Sequence, residues 1–252
     1  IQEESADRAT WGEILSHKLR RPLYVGLGLA VFQQITGINA VIYYANEIFA
    51  AAGFTTAKEQ ADATLFAVGG VNVLATFIAI AFVDKFGRKP LLLTGLVGMS
   101  LSLTTLGFAF AALDGSTAAG TPTTLGIITL VCLVVFIASF AFSMGPIVWT
   151  MISEIYPNRI RGRAVAVATA ANWGAAFLVS MTFLTLLDAI GESATFWLFA
   201  ATSVAAFVWI WFKVPETKGR SLEQISEVFD HAPPRPPPDA PDAPERPVAP
   251  AA

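Results

Sequence analysis

The chain alternates long apolar stretches with short polar segments, and six of the apolar stretches are each long enough to cross a bilayer. A spanning helix needs roughly 20 mostly apolar residues. Because the polar segments between the stretches are short, the pattern predicts an all-α membrane protein, a bundle of six transmembrane helices. The predicted spans run approximately over Leu23–Ala51, Ala63–Val83, Leu91–Leu113, Thr124–Ile152, Ala164–Leu187 and Thr195–Val214, and the predicted loops over Gly53–Asp62, Asp84–Pro90, Asp114–Thr123, Tyr156–Arg163 and Asp188–Ala194.

The composition supports a membrane protein and excludes several other classes. Of the 252 residues, 54% are hydrophobic and 14% are charged, which does not describe a soluble domain. The single cysteine, Cys132, lies in an apolar run, and His17 and His231 stand in polar flanks without metal-ligand spacing. The sequence therefore predicts no disulfide, no metal site and no cofactor. A net charge of −3 gives no basis for binding nucleic acid.

Positively charged residues concentrate on one side of the predicted bundle. Twelve Lys and Arg residues precede the first span or follow the second, fourth and sixth spans, whereas the alternate loops hold only Lys58. Since Lys and Arg in short loops remain cytoplasmic, this asymmetry predicts that both ends of the segment are cytoplasmic. The twelve residues are Lys18, Arg20, Arg21, Lys85, Arg88, Lys89, Arg159, Arg161, Arg163, Lys213, Lys218 and Arg220.

The chain divides into four predicted regions. Residues 1–21 form a cytoplasmic linker with a helical segment, and residues 22–214 form the membrane bundle. Residues 215–231 form a cytoplasmic segment after the membrane, and the Pro/Ala-rich residues 232–252 form a disordered tail. The chain opens with neither an initiator methionine nor a secretory signal. We therefore expect it to be the C-terminal portion of a longer protein.

The first span contains an unusual polar stretch, QQITGINAVIYY, from Gln33 to Tyr44. On a straight helix at about 100° per residue, Gln33, Gln34 and Asn39 would spread around the whole circumference. A glycine at position 37, after Thr36, permits an unwound backbone, which at membrane depth survives only where it lines protein or a wet cavity. The stretch therefore predicts a discontinuous, cavity-lining helix. The alternative is that the amides only join helices by hydrogen bonds.

Later spans carry fewer polar residues. Asn72 stands beside two glycines in the second span, where it either lines the cavity or joins helices. Pro146 predicts a kink in the fourth span. Trp149 follows it and is either an interface anchor, a packing residue or part of the cavity wall. In the fifth span, small and polar residues share one face with Asn172, which suits a cavity or close helix packing.

Ionisable residues are almost absent from the predicted spans. No carboxylate or histidine lies in the body of a span: Glu47 is near the end of the first span and Glu154 is just past the end of the fourth. An enzyme would need carboxylates, histidines or an activated nucleophile at depth, so the sequence argues against an enzyme. Neutral amides, hydroxyls and aromatic rings suit a neutral ligand rich in hydroxyl groups, because amides donate and accept hydrogen bonds at once.

Five motifs in register carry a resemblance to a known family. They are QQITGINAVIYYA, DKFGRKP, GPIVWTMISEIYPNRIRGRA, ANW and VPETKGRSLEQI. In this order and spacing, they resemble the C-terminal half of a sugar porter of the major facilitator superfamily. The resemblance covers nearly the whole chain before the proline-rich tail.

The resemblance implies roles for particular residues. It implies that six residues bind the sugar and that two tyrosines at the outer end of the first span close over it. On the cytoplasmic side it implies a gate of ion pairs, although ordinary basic loop residues would explain the same charges. The substrate-binding residues are Gln33, Gln34, Asn39, Asn72, Trp149 and Asn172; the extracellular gate is Tyr43 and Tyr44; the cytoplasmic gate is Asp84, Arg88, Glu154, Arg161 and Glu216.

The implied function is transport of a monosaccharide across the plasma membrane by alternating access, with a missing N-terminal six-helix half as partner. Proton coupling would depend on that missing half. Some members carry polar residues where Ala141 and Ala176 stand, so the identity of the sugar stays open. Inositol or another small polyol is an alternative substrate. A non-transporting sugar sensor is a further alternative, although the tail lacks the folding signals that such a protein would need.

Overall fold

Helices are the only regular structure in the part of the chain that the structure, a computed structural model, describes: residues 19–51, 54, 56–113, 124–220 and 224–225. The predicted all-α membrane fold is confirmed. The predicted linker helix before residue 19, the loop Asp114–Thr123 and the tail 232–252 lie outside the described residues.

Five helical segments in these described ranges are long and apolar enough to cross a membrane, and the last contains two of the predicted spans. The first span comprises three short helices and the fourth comprises two. The second contains a seven-residue π-helix, Thr64–Gly70. The α-helices are α1 (Arg20–Ile35), α2 (Ile38–Tyr43), α3 (Ala45–Ala51), α4 (Ala57–Ala63), α5 (Val71–Phe86), α6 (Arg88–Leu113), α7 (Thr124–Phe142), α8 (Met144–Glu154) and α9 (Asn158–Lys213).

The predicted loop between the fifth and sixth spans is a single residue. Gly191 has φ 79° and ψ 166°, and helical geometry resumes on both sides of it. Only glycine adopts such a backbone readily, so one residue replaces the predicted loop Asp188–Ala194. The two arms of α9, 158–190 and 192–213, run along the first span in opposite directions. In the first arm Asn172 contacts Ala30 and Ser180 contacts Tyr44, whereas in the second arm Thr202 contacts Ile35 and Trp209 contacts Tyr24.

The connection before the second span is also more helical than predicted. Helix α4 begins inside the predicted loop Gly53–Asp62, because a capping box starts it there. The Thr56 hydroxyl accepts from the Glu59 N–H at 3.2 Å, while the Glu59 carboxylate accepts from the Thr56 N–H at 3.1 Å. The two side chains thus accept from two main-chain N–H groups that would otherwise lack a partner at the start of the helix.

The break in the fourth span lies one turn before the proline. Helix α7 ends at Phe142, Ser143 has φ −127° and ψ −86°, and α8 begins at Met144. Pro146 has no N–H and its ring collides with the carbonyl four residues earlier, so the helix breaks at the preceding turn.

Small residues allow close packing around α6. A Cβ atom added to Gly98 or Gly107 would collide with Ser139 or Trp197 of the neighbouring helices. Small residues at such contacts let membrane helices approach closely. Large apolar side chains on α5 and on the first arm of α9, such as Phe77 and Phe177, are exposed, as expected for surfaces facing apolar surroundings.

Candidate functional site

The polar stretch of the first span forms the predicted helix break. Helix α1 ends at Ile35, Gly37 adopts the left-handed conformation with φ 91°, and α2 begins at Ile38. The Thr36 hydroxyl donates to the Gln33 carbonyl at 2.9 Å, which replaces a main-chain bond lost at the break. Gly37 is therefore required for its backbone angle, and the break re-aims the amides that flank it.

Four side-chain amides meet at this break. Gln34 Nε2 donates to Asn172 Oδ1 at 3.1 Å, and Asn172 Nδ2 donates to Gln33 Oε1 at 2.7 Å. Asn39 Nδ2 donates to Gln34 Oε1 at 2.8 Å. We call Gln33, Gln34, Asn39 and Asn172 the amide cluster. It joins α1, α2 and the first arm of α9, and all but the half-buried Asn39 are buried.

The amide cluster also binds main-chain carbonyls near both broken spans. Gln33 Nε2 donates to the carbonyls of Met144 and Gly145, at 2.7 and 3.3 Å, just after the break in the fourth span. Asn172 Nδ2 donates to the Ala30 carbonyl at 2.8 Å. Each amide both donates and accepts hydrogen bonds, and none is charged. A hydroxyl group of a ligand could therefore take the place of one amide in any of these bonds.

Two other predicted sugar-binding residues lie outside these bonds. Asn72 is half-buried in the first turn of α5, and its side-chain amide makes no hydrogen bond to any described residue. Its main-chain carbonyl accepts from the Thr76 hydroxyl at 2.8 Å. Trp149 is half-buried on α8 and packs against the core. The structure therefore brings four of the six predicted residues into direct contact and leaves these two apart.

The two tyrosines of the predicted outer gate differ in their surroundings. Tyr43 is exposed, at 58% of its surface. The Tyr44 hydroxyl donates to the Ser180 carbonyl at 3.3 Å, and its ring stacks on Phe183 with centroids 5.0 Å apart. Tyr44 therefore fastens the far end of α2 to the first arm of α9, whereas Tyr43 is uncovered.

Four of the five predicted cytoplasmic gate residues form one network. Arg88 pairs with Glu154 at 2.9 Å and with Asp84 at 2.9 Å. The Glu216 carboxylate accepts from the main-chain N–H groups of Arg88 and Lys89, each at 3.0 Å. These are the first amides of α6, so Glu216 caps that helix and complements its dipole.

Arg161, the fifth predicted gate residue, lies apart from this network. Its Nε donates to the Tyr156 carbonyl at 3.2 Å. The Tyr156 side chain is buried in the turn between α8 and α9, and its hydroxyl has no hydrogen-bond partner among the described residues. Burial raises the pKa of that phenol, so it stays protonated.

Sequence reasoning missed two parts of the network. The Thr217 hydroxyl donates to Glu154 Oε2 at 2.6 Å, which links the segment after the sixth span to the fourth span. Gly87 has φ 91°, and a Cβ added to it would lie 2.7 Å from Glu216 Oε2. The glycine and the threonine both stand within quoted motifs, DKFGRKP and VPETKGRSLEQI, but only the folded chain shows their partners.

A cavity of about 510 Å³ opens elsewhere, between α4, the π-helix and α7. Its lining is mostly apolar, and none of the predicted site residues lines it. Such a lining does not suit a ligand rich in hydroxyl groups. The residues around it include Phe54, Glu59, Asp62, Phe66, Val71, Leu130 and Val134.

Comparison with known proteins identifies the family. The Sugar (and other) transporter family model matches residues 1–229. The glucose transport protein of Synechocystis sp. is 42% identical over 207 residues, covering 81% of this chain and 43% of that protein. The major myo-inositol transporter IolT of Bacillus subtilis is 38% identical over 234 residues, covering 92% of this chain and 48% of that protein.

Solved structures give the same result. The proton:xylose symporter XylE bound to 6-bromo-6-deoxy-D-glucose superposes with a TM-score of 0.72 and 38% identity, covering 82% of this chain and 42% of that structure. The inward-open xylose transporter XylE from E. coli superposes with a TM-score of 0.70 and 36% identity, covering 86% of this chain and 44% of that structure. The chain spans less than half the length of each of these relatives.

These similarities confirm the resemblance that the motifs indicated, and they place the chain among transporters and not among enzymes. Its long apolar helices make it a multi-pass membrane protein. The chain belongs to the Sugar (and other) transporter family.

Proposed function

We propose that this chain is one half of a membrane carrier that moves a monosaccharide by alternating access. In such carriers two six-helix halves rock about a site near the middle of the membrane. The observation that carries the proposal is the amide cluster, in which Gln34 and Asn172 lie 138 residues apart in sequence yet hydrogen-bond at a helix break.

Sugar hydroxyls would take over the bonds that the amides now make with one another. An amide offers a donor and an acceptor in fixed geometry, so a hydroxyl can replace one amide partner without leaving another buried group unpaired. In this proposal Gln33, Gln34, Asn39 and Asn172 bind hydroxyls. Asn72, whose amide is unbonded among the described residues, adds a polar contact, and Trp149 covers the ring face.

The two gates belong to the same proposal. Tyr43 and Tyr44 close the outer side over bound sugar, because α2 follows directly from the break and ends at these residues. The cytoplasmic network of Asp84, Arg88, Glu154 and Glu216 locks the outward-facing state. Arg161 joins it only if its bond to the Tyr156 carbonyl exchanges for Glu154 during transport.

The proposal has three further parts. A second six-helix half completes the carrier, both ends of this segment lie in the cytoplasm, and the protein resides in the plasma membrane. Support for the second half comes from the relatives, each more than twice as long as the matched region. Support for the orientation comes from the twelve basic residues on one side. Proton coupling is proposed to reside in the second half, since the amide cluster itself is neutral.

Inositol or another polyol is the second candidate substrate, favoured by the 38% identity to a myo-inositol transporter. The amide cluster suits either ligand because both present hydroxyls on a six-membered ring. Competition between sugars and polyols for uptake therefore has to decide between the two substrates.

Uptake by the full-length protein in proteoliposomes tests the proposal. Radiolabelled glucose uptake should be competed by a panel that includes xylose and myo-inositol, and the best competitor identifies the substrate class. Gln34→Ala and Asn172→Ala should each raise KM about tenfold or more, because each removes partners from the cluster. Gln60→Ala is the matched control, since its amide donates to the Phe54 carbonyl away from the cluster.

Two results would contradict the proposal. Full-length protein that binds and transports no sugar or polyol would overturn the function. Robust uptake by liposomes that contain only residues 1–252 would overturn the division of the carrier into two halves.

A further inference from the structure

The helix break in the first span leaves one carbonyl that only a neighbouring helix satisfies. No main-chain N–H among the described residues donates to the carbonyl of Ile35, the last residue of α1. The Thr202 hydroxyl, from the second arm of α9, lies 2.8 Å from this carbonyl and 2.9 Å from the Phe199 carbonyl, so its single O–H is shared between them, with the Ile35 carbonyl the nearer acceptor. An unsatisfied carbonyl at membrane depth is costly, so this contact favours the broken geometry.

Phe199 supports the same junction by packing. Its ring lies so close to Gly37 that an added Cβ would be 2.9 Å from the ring atoms. Phe199 also stacks with Phe183, at 6.1 Å between centroids, and Phe183 stacks with Tyr44 at 5.0 Å. These rings form a continuous wall from Gly37 at the start of α2 to Tyr44 at its end.

Helix α2 depends on such supports because it is only six residues long. A helix this short is not stable alone, so contacts at its two ends decide its direction. Its second residue, Asn39, donates to Gln34 Oε1 at 2.8 Å. The direction of α2 therefore sets where Asn39 stands in the amide cluster.

We propose that Thr202 is a positioning residue for substrate binding: its hydroxyl holds the Ile35 carbonyl, and thereby holds α2 and Asn39 in the arrangement that receives the sugar. This inference rests on the proposed function and goes beyond it. Thr202 stands in an apolar run outside every quoted motif, and it belongs to the sixth span, whereas the amide cluster comes from the first and fifth.

Substitution of Thr202 in the full-length protein tests the inference. Thr202→Val keeps the shape and removes the donor, and it should weaken sugar affinity about tenfold with little change in the maximum rate, as expected for loss of about one hydrogen bond. Thr202→Ser keeps the donor and should restore affinity to within about twofold of wild type. Affinity is measured by glucose binding, with myo-inositol as the second probe.

Ser203→Ala is the matched control. Ser203 is fully buried next to Thr202, and its hydroxyl donates to the same Phe199 carbonyl at 2.9 Å but makes no bond to α1. The variant should bind sugar like wild type. Equal losses of affinity in Thr202→Val and Ser203→Ala would show a general packing effect and overturn the inference.

Amide hydrogen exchange gives a second readout that does not require sugar. Thr202→Val should speed exchange in the peptide that covers residues 36–44 several-fold, whereas Ser203→Ala should leave it unchanged. Wild-type protein that binds no sugar or polyol of the competition panel, these two probes included, would overturn both the proposed function and this inference. Wild-type binding, with unchanged affinity and exchange in Thr202→Val, would overturn this inference alone.

Discussion

At the scale of single residues, Asn172 and Asn72 show how different two asparagines in membrane spans can be. Asn172 is 3% exposed and bonds to Gln33, Gln34 and the Ala30 carbonyl. Asn72 is half-buried, and its amide bonds to no described residue. The first therefore stabilises the fold as well as the candidate site, while the second is available for a ligand or a further helix.

This contrast gives a prediction for stability. Asn172→Ala should lower the free energy of unfolding by about 1–3 kcal/mol, because the side chains of Gln33 and Gln34 and the Ala30 carbonyl each lose a buried hydrogen bond. Asn72→Ala should change it by less than about 0.5 kcal/mol. Thermal unfolding of the two variants in the same detergent measures the difference, and a larger loss from Asn72→Ala would contradict the assignment.

At the scale of helices, the break between α1 and α2 depends on one glycine. Gly37 combines φ 91° with the close approach of the Phe199 ring. Any side chain there meets both a backbone penalty and a collision. The break is therefore built into the packing between the first and sixth spans.

Gly37→Ala should accordingly destabilise the protein by at least about 1–2 kcal/mol, the cost of a left-handed backbone with a Cβ atom. Gly162→Ala is the control: Gly162 is helical, and an added Cβ would meet nothing within 4 Å. That variant should be neutral or stabilised by up to about 1 kcal/mol. Melting temperatures of both variants measure the effects. Equal values would show that the break does not require glycine at position 37.

The N-terminus of α6 depends on Glu216 far more than on Asp84. Glu216 accepts from two main-chain amides at the start of the helix. Asp84 is 83% exposed in its side chain and pairs with Arg88 at the surface. Exposed pairs contribute little because water screens them.

We therefore expect Glu216→Ala to cost about 1–2 kcal/mol, the loss of a charged helix cap. Asp84→Ala should cost less than about 1 kcal/mol. Denaturation of the two variants at the same ionic strength measures both values. Equal costs would show that Glu216 acts only as a surface charge.

At the scale of the whole molecule, charge and contacts together define two ends of the bundle. The network of Asp84, Arg88, Glu154 and Glu216 joins the second, third, fourth and sixth spans at one end. Tyr44 and the capping box of α4 lie at the other end, near Lys58. The first end carries the basic residues that predict the cytoplasmic side.

Labelling of introduced cysteines tests this orientation. In intact cells, Lys58→Cys should react with a membrane-impermeant maleimide, while Lys218→Cys should react only after permeabilisation, since both positions are exposed at opposite ends. Cys132 is buried, so this segment contributes little background, and the protein without either introduced cysteine measures the rest. The reverse labelling pattern would show that the bundle has the opposite orientation.

The sequence by itself determined the features that depend on neighbouring residues. Hydropathy over about 20 residues located the spans, and Gly37 between polar residues located the break. Local sequence alone did not give the single-residue turn at Gly191, because a polar segment reads as a loop whether or not a glycine reverses the chain within it.

Only the tertiary structure decided which distant groups meet. Thr202 bonds to Ile35 across 167 positions, Glu154 bonds to Thr217 across 63, and Arg161 bonds to the Tyr156 carbonyl instead of joining the network. A hydrogen bond forms only when donor and acceptor lie within about 3 Å in suitable geometry. That distance depends on how the helices pack. The sequence therefore indicated which polar side chains matter, but it did not indicate most of their hydrogen-bond partners.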